Sequence, residues 1–416
     1  SDGMLCSSSE LGLGAGVDGL MELPAEAIVG VRFAAYSGQK SDVILEVDNK
    51  SLTHRPDLWG HYGLAREFAA SHGTVFKTPY DASWTKAQEA KLGSGAGPVS
   101  FDVADDSACW AYSGVNVEGV TVGQSPDWMQ RRLLAVGLRP INSVVDISNY
   151  VMVELGMPNH IFDADRIQGK RLTIRRQGQD GPFKTLDGQE RALVSHDTII
   201  ADQAGTTVLA GIMGGLASGV TEVTRNLFLE VANWDATEVR KTSVRLGLRS
   251  DSSQRFEKTL DSHLCRRSLL RLVDLVLELH PGSRVSGTIA EWRRESALAK
   301  PVTLAFPRTR ITKVIGQDLP ATKLEGIFRA LGFEVRAQGE DFTVTVPTWR
   351  TTKDISCVDD LVEEVGRMIG YDNILPISPL LPVRPVRLTP SKALHRKVHD
   401  FMVLEARALE VMTYPL

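Results

Sequence analysis

The stretch DISNYVMVELGMPNHIFD, from Asp146 to Asp163, begins with a helical pattern and ends in a polar loop. Its apolar residues recur at helical spacing, which predicts a helix from Val144 to Glu154. The proline and asparagine that follow predict a loop, and this loop carries His160. A neutral imidazole there can orient or activate a water molecule, while a solvent-exposed loop histidine is the ordinary alternative.

Length and composition restrict the class of protein. The chain has 416 residues, 43% of them hydrophobic and 24% charged, which predicts about two to four globular domains. Because the net charge is −4, any contact with nucleic acid is expected to come from local basic patches. Four scattered cysteines without a CxxC pair argue against structural zinc and, without a signal peptide, indicate the cytoplasm. No apolar run is long enough to span a bilayer, so no membrane association is expected.

The first half of the chain divides into segments of different character. A strand from Val43 to Val47 and a helix from Leu58 to Ser71 are expected first, followed by a linker from Pro79 to Pro98. The largest unit follows. Its mixture of strand-like and helix-like runs, with a hairpin turn at Asp187 and Gly188, predicts a mixed α/β core.

The order of elements from Pro301 to Pro376 predicts a smaller unit. A strand and two helices precede a β-hairpin formed by FEVRAQ and DFTVTVP, and a helix from about Val358 to Gly370 follows. Helices combined with such a hairpin are typical of a winged-helix layout. The predicted fold class is multidomain α+β, in which a central mixed α/β domain precedes a winged-helix-like α+β domain.

Several motifs together resemble the β subunit of bacterial phenylalanine–tRNA ligases. SDGMLCSSSELGL is similar to the end of an OB-fold insert, and PTWRTTKDISCVDDLVEEVGRMIGYDNI is similar to a winged-helix-like domain of that subunit. Between them, the block from PINSVVDISNYVMVELGMPNHIFD through LAGIMGG, LEVANW and GLRSDSSQRFEKTLD resembles its editing domain. The order of these motifs along the chain is also that of the family.

The resemblance implies five segments. They are the tail of a tRNA-binding OB-fold domain (1–36), a small α/β remnant with a linker (37–100), an editing domain that hydrolyses mischarged tRNA (101–290), a winged-helix-like domain (301–378) and the start of a truncated catalytic-like module (379–416). Both ends read as cut within a domain, so the chain is expected to be a piece of a longer β subunit.

The resemblance also implies a function. The chain would take part in ATP-dependent charging of tRNA(Phe), as a β subunit in an α2β2 heterotetramer whose α subunit holds the aminoacylation site. It would itself contribute tRNA binding and hydrolytic editing of Tyr-tRNA(Phe). Two other interpretations stay open: a tRNA-binding or scaffold fragment without chemistry, and a free-standing aminoacyl-tRNA deacylase.

Glu230, within LFLEVANW, is the candidate acceptor for the tyrosyl hydroxyl. Strand alternation places it opposite Leu229 and Val231 and beside Phe228 and Ala232, which favours an inward direction. The alternative is a solvent-facing glutamate on an edge strand, because buried carboxylates without partners are costly.

The resemblance assigns further residues to the editing pocket. It implies a catalytic pair, His160 and Glu230, and six substrate-binding residues, which are Ser148, Asn149, Ala210, Gly211, Ser250 and Ser252. Related chains carry threonine or alanine where this chain has the three serines, which leaves hydroxyl chemistry possible but changes the pocket size. Polar residues punctuating a helix and an ordinary glycine-rich turn are the competing interpretations.

An acidic helix carries the candidate metal site. Asp360, Glu363 and Glu364 lie at i, i+3 and i+4, so they share one face of the helix. Solvated acids in a first turn also suit the helix dipole, and the pattern alone leaves both interpretations open. The resemblance adds Asp354 and implies a Mg²⁺ site shared with the α subunit.

Overall fold

The computed structural model describes residues 5–7, 10–11, 19–36, 43–216, 219–378, 380–383, 385 and 387–414. Much of SDGMLCSSSELGL, on which the predicted OB-fold tail depends, lies outside the described residues. The chain divides into two compact units, Ser1–Tyr371 and Asp372–Leu416.

The strands of the first unit form several sheets. The strands are β1 (Ser100–Val103), β2 (Cys109–Glu118), β3 (His160–Asp163), β4 (Arg171–Arg176), β5 (Gly181–Lys184), β6 (Glu190–Leu193), β7 (Thr198–Ala201), β8 (Thr206–Leu209), β9 (Met213–Gly214), β10 (Asn226–Trp234), β11 (Arg284–Arg293), β12 (Val302–Pro307), β13 (Glu334–Gln338) and β14 (Asp341–Val346). Their spatial orders are β1–β4–β7–β8–β9, β11–β2–β10–β3, β12–β14–β13 and β5–β6.

Helices occur in both units of the chain. They are α1 (Phe33–Tyr36), α2 (His61–Ser71), α3 (Ala82–Glu89), α4 (Asp127–Ala135), α5 (Ser143–Leu155), α6 (Ala236–Arg245), α7 (Asp251–Phe256), α8 (Leu264–Leu279), α9 (Arg308–Ile315), α10 (Ala321–Ala330), α11 (Thr348–Thr351), α12 (Val358–Ile369) and α13 (Pro390–Asp400). Helices α1 to α12 belong to the first unit and α13 belongs to the second. Among the described residues, no helix is both long and apolar enough to cross a bilayer.

Strand β10 lies inside the larger hydrophobic core of the first unit. It pairs in antiparallel fashion with β2 on one side and with β3 on the other. Every residue from Leu227 to Trp234 is buried. Helix α8 contacts both β2 and β10, and its apolar stripe is buried at Cys265, Leu269 and Leu272. Because β10 is internal, the edge-strand alternative for Glu230 is wrong.

The predicted hairpin turn at Asp187 and Gly188 is confirmed. Strands β5 and β6 pair in antiparallel register across it, and Gly188 has φ of +77°. The Asp187 carboxylate accepts hydrogen bonds from the Thr185 hydroxyl at 2.6 Å and from the Gln189 N–H at 3.1 Å. The aspartate orders the turn while glycine supplies the left-handed backbone, which is the division of roles expected for an Asp-Gly turn.

Local expectations differ from the structure at three places. His160 begins strand β3 instead of lying in a loop. The expected linker from Pro79 to Pro98 contains helix α3, whose first turn is capped by Asp81 accepting from the Trp84 N–H at 2.8 Å. Residues 43–49 form no strand. In the first case, the strand is only four residues long and depends on pairing with a distant strand, which local patterns do not reveal.

The winged-helix-like order is confirmed. Strand β12, helices α9 and α10, the β13–β14 hairpin and helix α12 follow one another as predicted. They enclose a second hydrophobic core that includes Phe306, Phe328, Phe342, Val344 and Leu361. The apolar side of α12 is buried at Leu361, Val362 and Val365.

The second unit contains helix α13. Its first residue is a proline, and the Thr389 hydroxyl caps it by accepting from the Lys392 N–H at 3.3 Å. No buried residue lies on α13 among the described residues. The assignment of 379–416 to a catalytic-like module stays a prediction, as do the other domain boundaries.

Candidate active site between two sheets of the central domain

His160 and Glu230 lie directly opposite each other. The antiparallel register of β3 and β10 pairs their Cα positions, and Gly114 of β2 stands opposite Glu230 on the other side. Directly opposed residues in such a pair point to the same face and have Cβ atoms about 4.5–5.5 Å apart. Strand pairing therefore fixes the imidazole beside the carboxyl group.

The two side chains line one cavity at the junction of the two larger sheets. Its wall combines residues from β3 and the two positions before it, from β7, β8, β10 and α7, and from the LAGIMGG segment (209–215). They are Pro158, Asn159, His160, Ile200, Val208, Gly211, Ile212, Met213, Gly214, Glu230, Trp234, Ser252 and Phe256. Most of these side chains are apolar. A few polar groups in an apolar cavity are the usual composition of a small-ligand site.

Burial controls the protonation of both groups. Glu230 is 4% exposed, and its carboxyl group forms no hydrogen bond with any described residue. Burial raises its pKa to about 8. Burial also lowers the pKa of His160 to about 4, so the imidazole is neutral near pH 7. Its Nε2 atom is buried and has no hydrogen-bond partner among the described residues.

Such a pair of polar groups is costly unless a ligand completes it. A buried polar group without a partner costs about 1–3 kcal/mol. Protein interiors satisfy most of their buried polar atoms, so exceptions that meet in one cavity mark a candidate functional site. Neutral imidazole can accept a proton from water, and a carboxyl group can accept a hydrogen bond in either protonation state.

The LAGIMGG segment brings its backbone close to the cavity. Gly211 has φ of +68°, and a Cβ atom there would lie 2.9 Å from the Trp234 ring. At Gly214, a Cβ atom would lie 2.7 Å from Cε1 of His160. Glycine at these positions therefore leaves room for the side chains of the site.

Gly214→Ala is expected to lower the free energy of unfolding by about 1–3 kcal/mol, because the added methyl group overpacks against the His160 ring. Urea unfolding of the chain followed by circular dichroism measures this loss. Gly181→Ala is the matched control, since nothing lies within 4 Å of a Cβ atom at that strand position. Equal stability of the two variants would show that His160 is free to move away.

The structure brings together only part of the predicted substrate-binding set. Gly211 and Ser252 line the cavity with His160 and Glu230. Ala210 instead lines a separate small cavity beside Thr198 and Trp234. This placement differs from the prediction because Ala210 and Gly211 are neighbours in a tight turn and face different sides.

The three remaining predicted residues lie behind the cavity wall. The Ser250 hydroxyl donates to the carbonyl oxygen of Ile212 at 2.6 Å and caps α7. Ser148 acts through its carbonyl oxygen, which accepts from Asn159 Nδ2 at 3.0 Å. Asn149 follows it on α5 and does not line the cavity. The contacts of Ser250 and Ser148 position two residues of the wall, Ile212 and Asn159.

Several lining residues were missed by sequence reasoning. Trp234 lies four residues after Glu230 on β10, and strand alternation would have placed it on the same face. Phe256 lies four residues after Ser252 on α7, at a spacing that shares a helix face. Asn159 had no comparable signal, because its role depends on a hydrogen bond to another element.

The four candidate metal ligands do not form a cation site in the described part of the chain. Arg350 pairs with both Asp354 and Glu364. The Asp360 carboxylate accepts from the N–H groups of Ser356 and Cys357 at 2.7 and 2.9 Å, and Glu363 is exposed. A hard cation requires several free oxygen ligands. These residues do not fit Mg²⁺ as they stand, and the predicted site keeps no geometric support.

An ionic cluster occupies this place instead. It joins two parts of the first unit and consists of Arg55, Asp57, Arg66, Glu67, Arg350, Asp354, Glu364 and Arg367. None of these side chains is more than 18% exposed. Burial alone would raise the pKa of Glu364, but Arg367 and Arg350 lower it to about 2. Two of the predicted metal ligands, Asp354 and Glu364, are therefore ion-paired with arginine.

Comparisons with known proteins agree on one family. The family model for the B3/4 domain matches residues 108–281, and that for the tRNA synthetase B5 domain matches residues 304–371. The phenylalanine–tRNA ligase beta subunit of Solibacter usitatus is 41% identical over 404 residues, which cover 97% of this chain and 51% of that protein. The beta subunit of Porphyromonas gingivalis is 39% identical over 382 residues, which cover 90% of this chain and 45% of that protein.

A solved structure was also found. It is an N-terminal fragment of the phenylalanyl-tRNA synthetase beta subunit from Pyrococcus horikoshii, with 16% identity, a TM-score of 0.42 and coverage of 78% of this chain and 86% of that one. The chain spans about half the length of the curated relatives it matches.

Proposed function

We propose, from the membership of this chain in the phenylalanine–tRNA ligase beta-subunit family, that its central domain hydrolyses tRNA esterified with tyrosine. The observation that carries the proposal is the opposition of His160 and Glu230 in one buried cavity, where neither the carboxyl group of Glu230 nor Nε2 of His160 has a hydrogen-bond partner among the described residues. An aminoacyl ester supplies polar groups for both.

The chemistry of tyrosine explains why such a site is needed. Tyrosine exceeds phenylalanine by one hydroxyl group, and an apolar pocket rejects that addition by only about 100-fold. A cavity that rewards the hydroxyl with a hydrogen bond selects the wrong amino acid instead. Glu230 is the acceptor for this hydroxyl in the proposed site, with the surrounding apolar residues packing on the ring.

The proposed reaction is attack by water on the ester carbonyl. Neutral His160 accepts a hydrogen bond from the water at Nε2 and holds it for attack. A C–O bond forms between the water and the carbonyl carbon, and the ester bond to the ribose oxygen breaks. One proton of the water ends on that ribose oxygen, which leaves tyrosine and uncharged tRNA. Positioning suffices here, because an aminoacyl ester is already activated.

The activity of the whole protein is proposed on the same family basis. The chain would act with an α subunit, in an α2β2 assembly, in the ATP-dependent charging of tRNA(Phe) in the cytoplasm. Its contribution would be tRNA binding and editing. Mg²⁺ would serve the ligase reaction of the assembly, and no step of the hydrolysis proposed here uses it.

Glu230→Ala is expected to lower kcat/KM for Tyr-tRNA(Phe) hydrolysis by about 5- to 150-fold, because loss of the acceptor leaves the buried tyrosyl hydroxyl unpaired, at a cost of about 1–3 kcal/mol. Single-turnover assays with the chain in excess over tRNA measure hydrolysis even if tRNA binding is weak. Glu190→Ala is the control, since Glu190 is exposed on β6 of the same domain.

The same assay separates the proposal from its alternatives. Hydrolysis of Tyr-tRNA(Phe) that survives unchanged in both Glu230→Ala and His160→Ala would remove these residues from the mechanism. Absence of any hydrolysis by the folded wild-type chain would favour a binding or scaffold role over editing.

A further inference from the structure

Asn159 is a third polar residue of the cavity. It immediately precedes His160, and its Nδ2 donates a hydrogen bond to the carbonyl oxygen of Ser148 on α5 at 3.0 Å. That bond sets the orientation of the amide group, since a carbonyl oxygen can only accept. The Oδ1 atom is left buried, without a hydrogen-bond partner among the described residues. Asn159 therefore presents a fixed acceptor.

A ligand could supply the hydrogen-bond donor that Oδ1 of Asn159 lacks among the described residues. Leaving it unpaired costs about 1–3 kcal/mol, the usual penalty for a buried polar atom. Most of the remaining cavity wall is apolar, including Ile200, Val208 and Phe256. A ligand that donates at this point and is apolar elsewhere would match the cavity.

The polar groups of the cavity correspond to those of a tyrosyl ester. The proposed function assigns the phenol to Glu230 and the water that attacks the ester to His160. The α-ammonium group remains, and it has only donors. It is bonded to the carbon next to the ester carbonyl, so its acceptor must lie in the same cavity as His160. Asn159 meets this requirement, because both residues line that cavity.

We propose that Asn159 is a positioning residue that accepts a hydrogen bond from the α-ammonium group of the aminoacyl ester through Oδ1. This inference rests on the proposed function for the identity of the ester. It adds a requirement that the first proposal does not contain: the substrates are esters of amino acids whose α-amino group is free.

Asn159→Leu is expected to lower kcat/KM for Tyr-tRNA(Phe) by about 10- to 150-fold, the loss that corresponds to one hydrogen bond with a charged group. The same variant should change hydrolysis of tRNA esterified with 3-(4-hydroxyphenyl)propionate by less than about threefold, since that acyl group lacks the amine. Leucine has the same number of side-chain heavy atoms as asparagine and branches at the same carbon, and the ester without the amine controls for its greater bulk.

A second variant guards against misfolding. Asn159→Asp keeps an oxygen acceptor of similar shape and should retain the preference for the ester with a free amine. Circular dichroism of both variants checks the fold. An equal loss on the two esters in Asn159→Leu would overturn the inference, because the effect would then come from packing. Retained amine preference in folded Asn159→Asp would support the inference, since the carboxylate keeps an acceptor although it cannot donate to the Ser148 carbonyl oxygen.

A binding measurement distinguishes this inference from the proposed hydrolysis. L-tyrosinamide and its desamino analogue, titrated into the full chain by calorimetry, report recognition without any reaction. If wild type hydrolyses neither ester but binds tyrosinamide at least tenfold more tightly than the analogue, and Asn159→Leu removes that preference, the role of Asn159 stands and the hydrolytic function fails. Binding without amine preference in wild type overturns the role of Asn159.

Discussion

Arg350→Met is expected to lower the free energy of unfolding by about 3–5 kcal/mol, the cost of leaving buried charges without a partner. The Arg350 side chain is 1% exposed and pairs with Asp354 and Glu364, which are each 6% exposed. Nη1 of Arg350 donates a hydrogen bond to the Glu364 carboxylate at 3.0 Å. Methionine retains much of the volume of the arginine stem, so the loss reports the missing guanidinium. Urea unfolding of the full chain measures it.

Two further variants test the physical reason. Arg310→Met is the control, because Arg310 pairs with Asp359 on the surface, where both side chains are 43% and 61% exposed and such a pair contributes about 0–1 kcal/mol. Adding Asp354→Asn to Arg350→Met removes the carboxylate whose nearest cation is Arg350 and should recover part of the stability. A loss below about 1 kcal/mol in Arg350→Met would show that water screens the ionic cluster.

Glu230→Gln is expected to stabilise the chain at pH 8 by up to about 4 kcal/mol, with little effect at pH 4.5. The pKa of Glu230 is raised from 4.5 to about 8 by burial. Between these values the folded chain holds a proton that the unfolded chain releases, so wild-type stability falls as the pH rises through that window. Each tenfold change in proton affinity corresponds to about 1.4 kcal/mol. Glutamine is neutral at every pH and avoids this loss.

The pH dependence itself is the test. Urea unfolding at pH 5, 6.5 and 8 should give a difference between Glu230→Gln and wild type that grows with pH. Glu190→Gln, on an exposed strand, should differ little from wild type throughout. A difference that stays constant from pH 5 to 8 would mean that Glu230 does not titrate in this range. His160 is common to both proteins and does not affect the comparison.

Some of this architecture is readable from local patterns. The apolar stripe of α8, the Asp-Gly turn and the order of elements in the winged-helix-like domain each depend on neighbours within a few residues. Glu230 was placed inward from alternation alone, and the structure agrees because β10 has two buried faces. Such features are determined by residues close to them in the sequence.

Other parts depend on distant partners. His160 lies in a strand only because β3 pairs with β10, whose Glu230 is 70 residues further along the chain. The acidic helix looked like a solvated or metal-binding face, but Glu364 is buried against Arg350. The helix period predicts which residues share a face, but it does not predict which residues of other elements that face contacts. The free oxygen of Asn159 is equally invisible, since it depends on which atom faces Ser148.

The ionic cluster has a consequence for synthesis of the chain on the ribosome. Glu67 and Arg367 are ion-paired across 300 residues. At about 5–20 residues per second, the ribosome takes about 15–60 s to add that length. During this interval Asp57 and Glu67 have no Arg350 or Arg367 to meet, and they stay hydrated. Helix α2 can form these ion pairs only after the winged-helix-like domain emerges. Until then, the side chains of α2 that form them are charged groups in contact with water.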